Sequence, residues 1–368
     1  MNLSRGGRME FLDFRSDTVT KPTAGMRKAM AQAKVGDDVY DEDPTVNRLQ
    51  RIAAELLGKE ACLFVPSGTM GNIVAILAHG GRGDEMILGD LAHTFLYEGG
   101  AAAGLAGMHP HILTNKPDGT IPISAIERAI RPNNIHCPHT RLICLENTHN
   151  RCSGSVLLPD YCDAVGELAH SHGISVHLDG ARLLNAAIYL SVSPSILTRG
   201  ADSVMLCLSK GLGAPVGSIL CGTQEFIAKA KRMRKIVGGG MRQAGIIAAA
   251  GIYALEHNIE RLEIDHQNAS RLVAGIKTIP GLACKADDRN EPSVQTNMVY
   301  FTVNGSALGD PTLDAAELSK RLRAQGVLAN PLGSDPNQMR MVTHLDVNQE
   351  DIDTALSALA HVTRIGGN

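Results

Sequence analysis

Ser203-Val204-Met205-Leu206-Cys207-Leu208-Ser209-Lys210-Gly211-Leu212-Gly213 decides how this chain is read. Its first five residues are apolar, partly β-branched and too few for a helix, which marks a short buried strand. Lys210 then stands just past the strand end, at the mouth of a glycine-rich loop. An ammonium group beside an apolar strand is costly to desolvate unless it is paired, neutralised or used covalently. Such a setting lowers its pKa toward the range where the free amine attacks a carbonyl. Taken alone, Lys210 also reads as a surface lysine reaching water, since lysine is almost never fully buried; its company in the rest of the chain decides.

Moving outward from this stretch, apolar runs of strand length alternate with helical patterns. Strands are expected at 62–65, 85–88, 111–113, 142–145 and 175–178, with helices at 45–57, 70–79, 93–103, 123–130 and 160–172. This rhythm predicts right-handed crossovers and an α/β fold with a mostly parallel sheet sandwiched by helices. The run 217–221 follows its predecessor so closely that antiparallel pairing with it is expected. Helices at 225–236 and 242–266 come next, the second carrying the chain into a smaller C-terminal α+β domain. That domain has strands at 298–303, 327–328 and 339–343 and helices at 314–325 and 350–362. The domain expectation is an N-terminal arm over 1–22, a large cofactor-binding domain over 23–255 and a small domain over 256–368.

Bulk properties narrow the class. The 368 residues are 44% hydrophobic and 20% charged with a net charge of −3, which fits a globular chain and gives no basic excess for nucleic acid. The run 229–235 is locally basic and reads as a solvated helix face. No signal-peptide core and no run of eighteen apolar residues occurs, so a cytoplasmic location away from any membrane is expected. The eight cysteines are scattered without a C-x-x-C pair and read as reduced thiols; no metal site is expected.

Ligands of parallel sheets bind outside the carboxyl ends of the strands. Past residue 65, Pro66-Ser67-Gly68-Thr69-Met70-Gly71-Asn72 opens a helix whose free N–H groups and dipole suit a phosphate, or simply a Ser/Thr cap. Neither G-x-G-x-x-G nor G-x-x-x-x-G-K-[ST] is present, which argues against a dinucleotide or a nucleoside triphosphate. Past residue 178 stands Asp179, whose carboxylate suits a protonated pyridine nitrogen or caps the next helix, with Arg182 three residues on. His93 opens a helix after the strand at 85–88 and could lie against a ring or move a proton. Arg242 and Arg340, flanked by glycines and methionines, suit bidentate capture of a carboxylate.

Taken together, Arg15-Ser16-Asp17-Thr18-Val19-Thr20, the acidic stretch 35–44, Ser67-Gly68-Thr69, Ala92-His93, Glu146-Asn147-Thr148-His149-Asn150, His177-Leu178-Asp179-Gly180-Ala181-Arg182, Leu208 to Gly213, Gly238 to Gln243 and Val342-Thr343-His344-Leu345-Asp346 resemble the low-specificity L-threonine aldolases. That family belongs to the fold type I, aspartate aminotransferase-like enzymes, which use pyridoxal 5′-phosphate. The resemblance spans residue 14 to about 346 and implies retro-aldol cleavage of L-threonine and L-allo-threonine to glycine and acetaldehyde. It implies that Lys210 binds the cofactor aldehyde, Asp179 its ring nitrogen, Gly68 and Thr69 its phosphate, with Lys235 of a neighbouring subunit. Arg182 would sit by the ring hydroxyl and His93 would stack on the ring. Ser16, Arg242 and Arg340 would hold the substrate carboxylate, Tyr40 would reach a partner's site, and His136 would lie near the substrate hydroxyl, making His93 and His136 the candidate bases. A homodimer or homotetramer with shared sites is implied. Two departures stand out: Met70 replaces the family's Gln, and loops at 151–155 and 287–294 are longer.

Overall fold

The computed structural model describes residues 11–285, 294–332 and 335–364. It divides into two compact units, Lys21–Glu260 and Met1–Thr20 with Arg261–Asn368.

The larger unit is built on a seven-stranded sheet in the order Ala61–Val65, Ser218–Gly222, Ser203–Cys207, Ser175–Asp179, His139–Glu146, Asp84–Gly89, His109–Leu113. Only Ser218–Gly222 runs against its neighbours, as the short connection from Cys207 requires. The remaining pairings are parallel, as the strand-helix rhythm predicts. Every residue of Ser203–Cys207 is buried, which accounts for its unbroken apolar character. The helix Pro44–Leu57 shows how local chemistry sets the boundaries. Asp43 accepts from Thr45 N and Val46 N, both at 3.0 Å, Pro44 occupies the first turn, and Gly58 ends the helix in the left-handed region. Val46, Leu49, Ala53 and Leu57 form its buried stripe.

Two expected helices differ. The one at 93–103 is two short helices, His93–Leu96 and Ala101–Gly104, because Gly99 and Gly100 both take positive φ. The one at 242–266 is also two, Gly245–His257 and Leu262–Ile276. The first ends where the Asn258 side chain donates to Leu212 O (2.7 Å), a tertiary contact that the apolar periodicity does not reveal.

The smaller unit has an antiparallel sheet ordered Asn330–Pro331, Gln338–Val342, Met298–Val303, Leu282–Cys284, with the helices Leu262–Ile276, Ala315–Ala324 and Gln349–Arg364. Phe14, Leu272, Phe301, Leu318, Met341 and Leu359 are central to its core. Residues 11–20, expected as an arm, are built into this unit, since Leu12–Asp13 pairs in parallel with Val327–Leu328. The long loop expected at 287–294 lies, but for Val294, outside the described residues. All eight cysteines are free thiols. No described helix is long and apolar enough to cross a membrane.

Candidate active site

The parallel strands of the larger unit end in step: Glu146 pairs with Asp179, and Asp179 with Met205. Their last residues share the carboxyl edge of the sheet, where ligands of such folds bind. Lys210 lies three residues beyond Cys207, half-buried. Its loop is closed by hydrogen bonds from Leu208 N to Gly217 O (3.1 Å), Ala214 N to Leu208 O (3.1 Å) and Gly213 N to Lys210 O (2.8 Å). Arg182, three residues past Asp179, is buried where the helix Leu183–Leu190 begins.

The helix Gly68–His79 starts at the same edge. Ser67 Oγ accepts from Met70 N (3.1 Å), and the first intrahelical bond runs from Gly71 N to Ser67 O (3.0 Å). The N–H groups of Gly68 and Thr69 precede that bond and are the donors that a helix start offers an anion. Glycine sets how closely the helix lies on the Ser203–Cys207 strand. A Cβ at Gly68 would come 2.7 Å from Cys207 Sγ, and one at Gly71 2.6 Å from Met205 Cγ.

That close approach brings Asn72, fully buried, down onto the strand ends. Its Nδ2 donates to Asp179 Oδ2 (2.9 Å) and to Glu98 Oε1 (2.8 Å), two carboxylates that are themselves buried. Asp179 Oδ1 accepts from Ala181 N (3.1 Å), and Glu98 Oε1 also meets His93 Nδ1 at 3.0 Å. The His93 backbone N–H donates to Glu146 Oε2 (2.7 Å), which fixes the short helix His93–Leu96 against the strand ends. One ligand atom each from His93, Glu98 and Asp179 lie within 4.8 Å of one another. Burial pushes the Glu98 pKa up and the nearby Asp179 charge adds to this, against the hydrogen bonds from His93 and Asn72. Burial pulls the His93 pKa down. The hydrogen bond to Glu98 and the charges of Asp179, Glu98 and Glu146 outweigh it and hold the ring above its ordinary value. The cluster therefore favours a cation, and a buried acid pair of this kind calls for one.

The basic run 229–235 is a solvated helix face only in part, because one of its arginines is drawn in against the acidic loop 35–44. Arg234 is buried, with Nη2 on Asp38 Oδ2 (2.7 Å) and Nη1 on Phe64 O (2.7 Å). Arg242 Nη1 donates to Asp37 Oδ2 (3.0 Å), and Lys231 pairs with Asp41. Tyr40 is 70% exposed, and Lys235 is exposed near the end of the helix Gln224–Ile236. In the smaller unit, Arg340 Nη2 donates to Arg15 O (3.0 Å), next to Ser16, whose Oγ accepts from Thr18 N (3.2 Å).

The family model of the beta-eliminating lyases matches residues 13–304. Over 354 residues the chain is 46% identical to the probable low-specificity L-threonine aldolase 2 of Arabidopsis thaliana, covering 95% of this chain and 97% of that one. It is 44% identical to the low specificity L-threonine aldolase of Escherichia coli K12, over 93% of this chain and 96% of its relative. The chain belongs to the low-specificity L-threonine aldolases. Among solved structures, the Leishmania major threonine aldolase superposes with a TM-score of 0.79 at 19% identity, covering 96% of this chain and 99% of that one, a likeness of fold.

Of the residues expected at the site, Asp179 and His93 share one hydrogen-bonded cluster, and the helix headed by Gly68 and Thr69 is tied to it through Asn72. His136 does not join them within one chain. It is exposed and precedes the strand His139–Glu146, at the edge where His139 pairs with Asp84. At about 3.3 Å per residue that strand carries the chain roughly 23 Å from there to Glu146. Sequence reading misses Glu98, Glu146 and Asn72 as members of the cluster. A signal for Asn72 exists, an amide among the apolar residues on the sheet-facing side of its helix; Glu98, in a loop, offers none. Met70 packs against the 238–240 run, since a Cβ at Gly239 would meet its sulfur.

Proposed function

We propose that this protein cleaves L-threonine and L-allo-threonine to glycine and acetaldehyde by a retro-aldol reaction, with pyridoxal 5′-phosphate as cofactor. The observation that carries the reading is the buried Asp179–Glu98 pair bridged by Asn72, on the strand edge that also presents Lys210 and the start of the helix Gly68–His79. These residues fit a flat heterocycle with a cationic ring N–H and a phosphate: the acid pair calls for the cation, and the helix start supplies anion donors. Lys210 would hold the cofactor aldehyde, Asp179 the ring nitrogen, Gly68 and Thr69 the phosphate, and Arg182 the ring hydroxyl. When bound, the cofactor supplies a sink for the electron pair released from the Cα–Cβ bond.

The chain's own groups do the rest. Arg242, in the same unit as the cluster, would fix the substrate carboxylate and so the orientation of the bond to be cleaved. His93 donates from Nδ1 to Glu98, which leaves Nε2 as the atom that takes the proton of the β-hydroxyl. Asp179, whose two oxygens accept from Asn72 Nδ2 and Ala181 N, would be held in place to meet the ring nitrogen. The exposed positions of Tyr40 and Lys235 support a homodimer or homotetramer in which they complete a neighbour's site. The reading includes a cytoplasmic location.

A second reading, β-elimination from an amino acid, is favoured by the description of the matching family. One panel separates the two. Protein loaded with pyridoxal 5′-phosphate is given L-threonine, L-allo-threonine, β-phenylserine and L-serine, and aldehyde and keto-acid products are followed. The aldolase reading expects acetaldehyde from both threonine isomers, abolished in Lys210→Ala. Keto acid alone, from threonine or serine, sinks it in favour of elimination.

A further inference from the structure

Beneath the acid pair runs a line of polar side chains that no step above uses. His177, fully buried in the strand Ser175–Asp179, places Nε2 at 3.0 Å from Asn72 Oδ1 and Nδ1 at 2.8 Å from Ser203 Oγ. Ser203, also fully buried, meets His79 Nε2 at 2.7 Å. Asn72 and His79 stand seven residues apart on one helix, two turns, and so point from the same face onto the sheet. Four buried or half-buried polar groups in a row are costly unless every one is satisfied in a single consistent sense.

Only one sense is consistent. Asn72 faces two carboxylates, which accept only, so its NH2 turns to them and its oxygen turns to His177. That oxygen accepts only, so His177 Nε2 carries the hydrogen. Burial pulls the His177 pKa down to about 4, so the ring is neutral and Nδ1 is bare. Ser203 must then donate to Nδ1, and its oxygen accepts from His79, whose pKa burial lowers to about 3. The donors run one way, from His79 through Ser203, His177 and Asn72 to the acid pair.

We propose that Asn72 is a positioning residue of the site, holding Asp179 and Glu98 side by side as paired carboxylates, and that His177 fixes which way the Asn72 amide faces. Without the amide, two negative charges in a dry pocket repel, one of them takes up a proton, and Asp179 presents a weaker countercharge to a cationic ring. If the His177 donor is lost, nothing holds the Asn72 oxygen, and the amide is free to turn its oxygen toward the acids.

This inference rests on the cofactor reading of the site and is tested on the dissociation constant of pyridoxal 5′-phosphate, read from the visible absorbance of the bound form, alongside kcat and KM for L-threonine. Gln at 177 carries an N–H at about the height of Nε2, whereas Asn carries it nearer Nδ1. His177→Gln is therefore expected within about twofold of wild type, while His177→Asn and Asn72→Leu weaken cofactor binding by about 10- to 100-fold, the loss of a hydrogen bond to a charged group. Thermal melts of the cofactor-free proteins establish that each variant folds; if Asn72→Leu does not, the Gln and Asn variants at 177 decide. Equal affinities for those two variants overturn the proposal, as does a folded Asn72→Leu that binds like wild type. Wild type that binds no cofactor defeats the reading of the site instead, so the two failures are distinct.

Discussion

Replacing Arg234 with methionine separates charge pairing from packing in the loop that carries Asp37 and Tyr40. The Arg234 and Asp38 side chains are 2% and 4% exposed and meet at 2.7 Å, while a second nitrogen of the guanidinium holds Phe64 O at 2.7 Å. Burial raises the Asp38 pKa and the Arg234 charge works against it, so the carboxylate stays ionised there only at a cost. Arg234→Met fills the space of the stem but strands that carboxylate, and removing one partner of a buried pair costs about 3–5 kcal/mol. Adding Asp38→Leu removes the stranded charge and leaves mainly the Phe64 carbonyl unmet, a penalty of about 1–3 kcal/mol. The chain has no tryptophan, so guanidinium unfolding is followed by far-ultraviolet circular dichroism. The single variant should unfold at a clearly lower midpoint than wild type, and the double variant should recover part of the loss. A single variant within about 1 kcal/mol of wild type, or a double variant less stable than the single, refutes the reasoning.

Three further outcomes follow from the cluster around Asp179. If His93 Nε2 takes the β-hydroxyl proton as proposed, it must be neutral to do so, and its pKa is held above the ordinary 6.5, so kcat/KM should rise with pH through a midpoint above that value; Glu98→Gln should move the midpoint down, and an unmoved midpoint contradicts the assignment. Gly71→Ala gains about 1 kcal/mol of helix propensity but drives a methyl group into Met205, at about 1–3 kcal/mol. Thermal melts should show lower stability, and titration should show weaker cofactor binding as the helix lifts Asn72 from the acids; an unchanged or higher melting point is the contrary result. His177 titrates near 4 when folded against 6.5 when unfolded, so the unfolded chain binds the extra proton first and stability is lost as pH falls through that window, by about 3 kcal/mol at most. His177→Gln should flatten this part of the acid-stability curve, and a curve with the same slope rules the effect out.

Much of the fold is legible because its signals are local. Period, run length and the turn residues around Gly58 and Gly213 mark the strands, and the short path from Cys207 to Ser218 fixes the one reversed strand. Asp179 and His93, both expected past strand ends, share one hydrogen-bonded cluster for the same reason: a parallel sheet brings its carboxyl ends together. What the sequence pattern hides is placement in three dimensions within the chain. His136 carries the residue type of a base, yet it stands before its strand and not after it, a difference that spacing to other histidines cannot show. Asn72 and Glu98 meet Asp179 from separate segments, so the geometry of contact, not any pattern in either segment, makes them members of the site. The break at Asn258 hides because its cause is a carbonyl 46 residues away in sequence.

The proposed chemistry requires Lys210 to join the cofactor. Borohydride reduction of the protein loaded with pyridoxal 5′-phosphate, followed by digestion and mass spectrometry, reads this directly. A phosphopyridoxyl group is expected on the peptide containing Lys210 and none in Lys210→Ala; the label on another lysine, or on none, contradicts that role for Lys210.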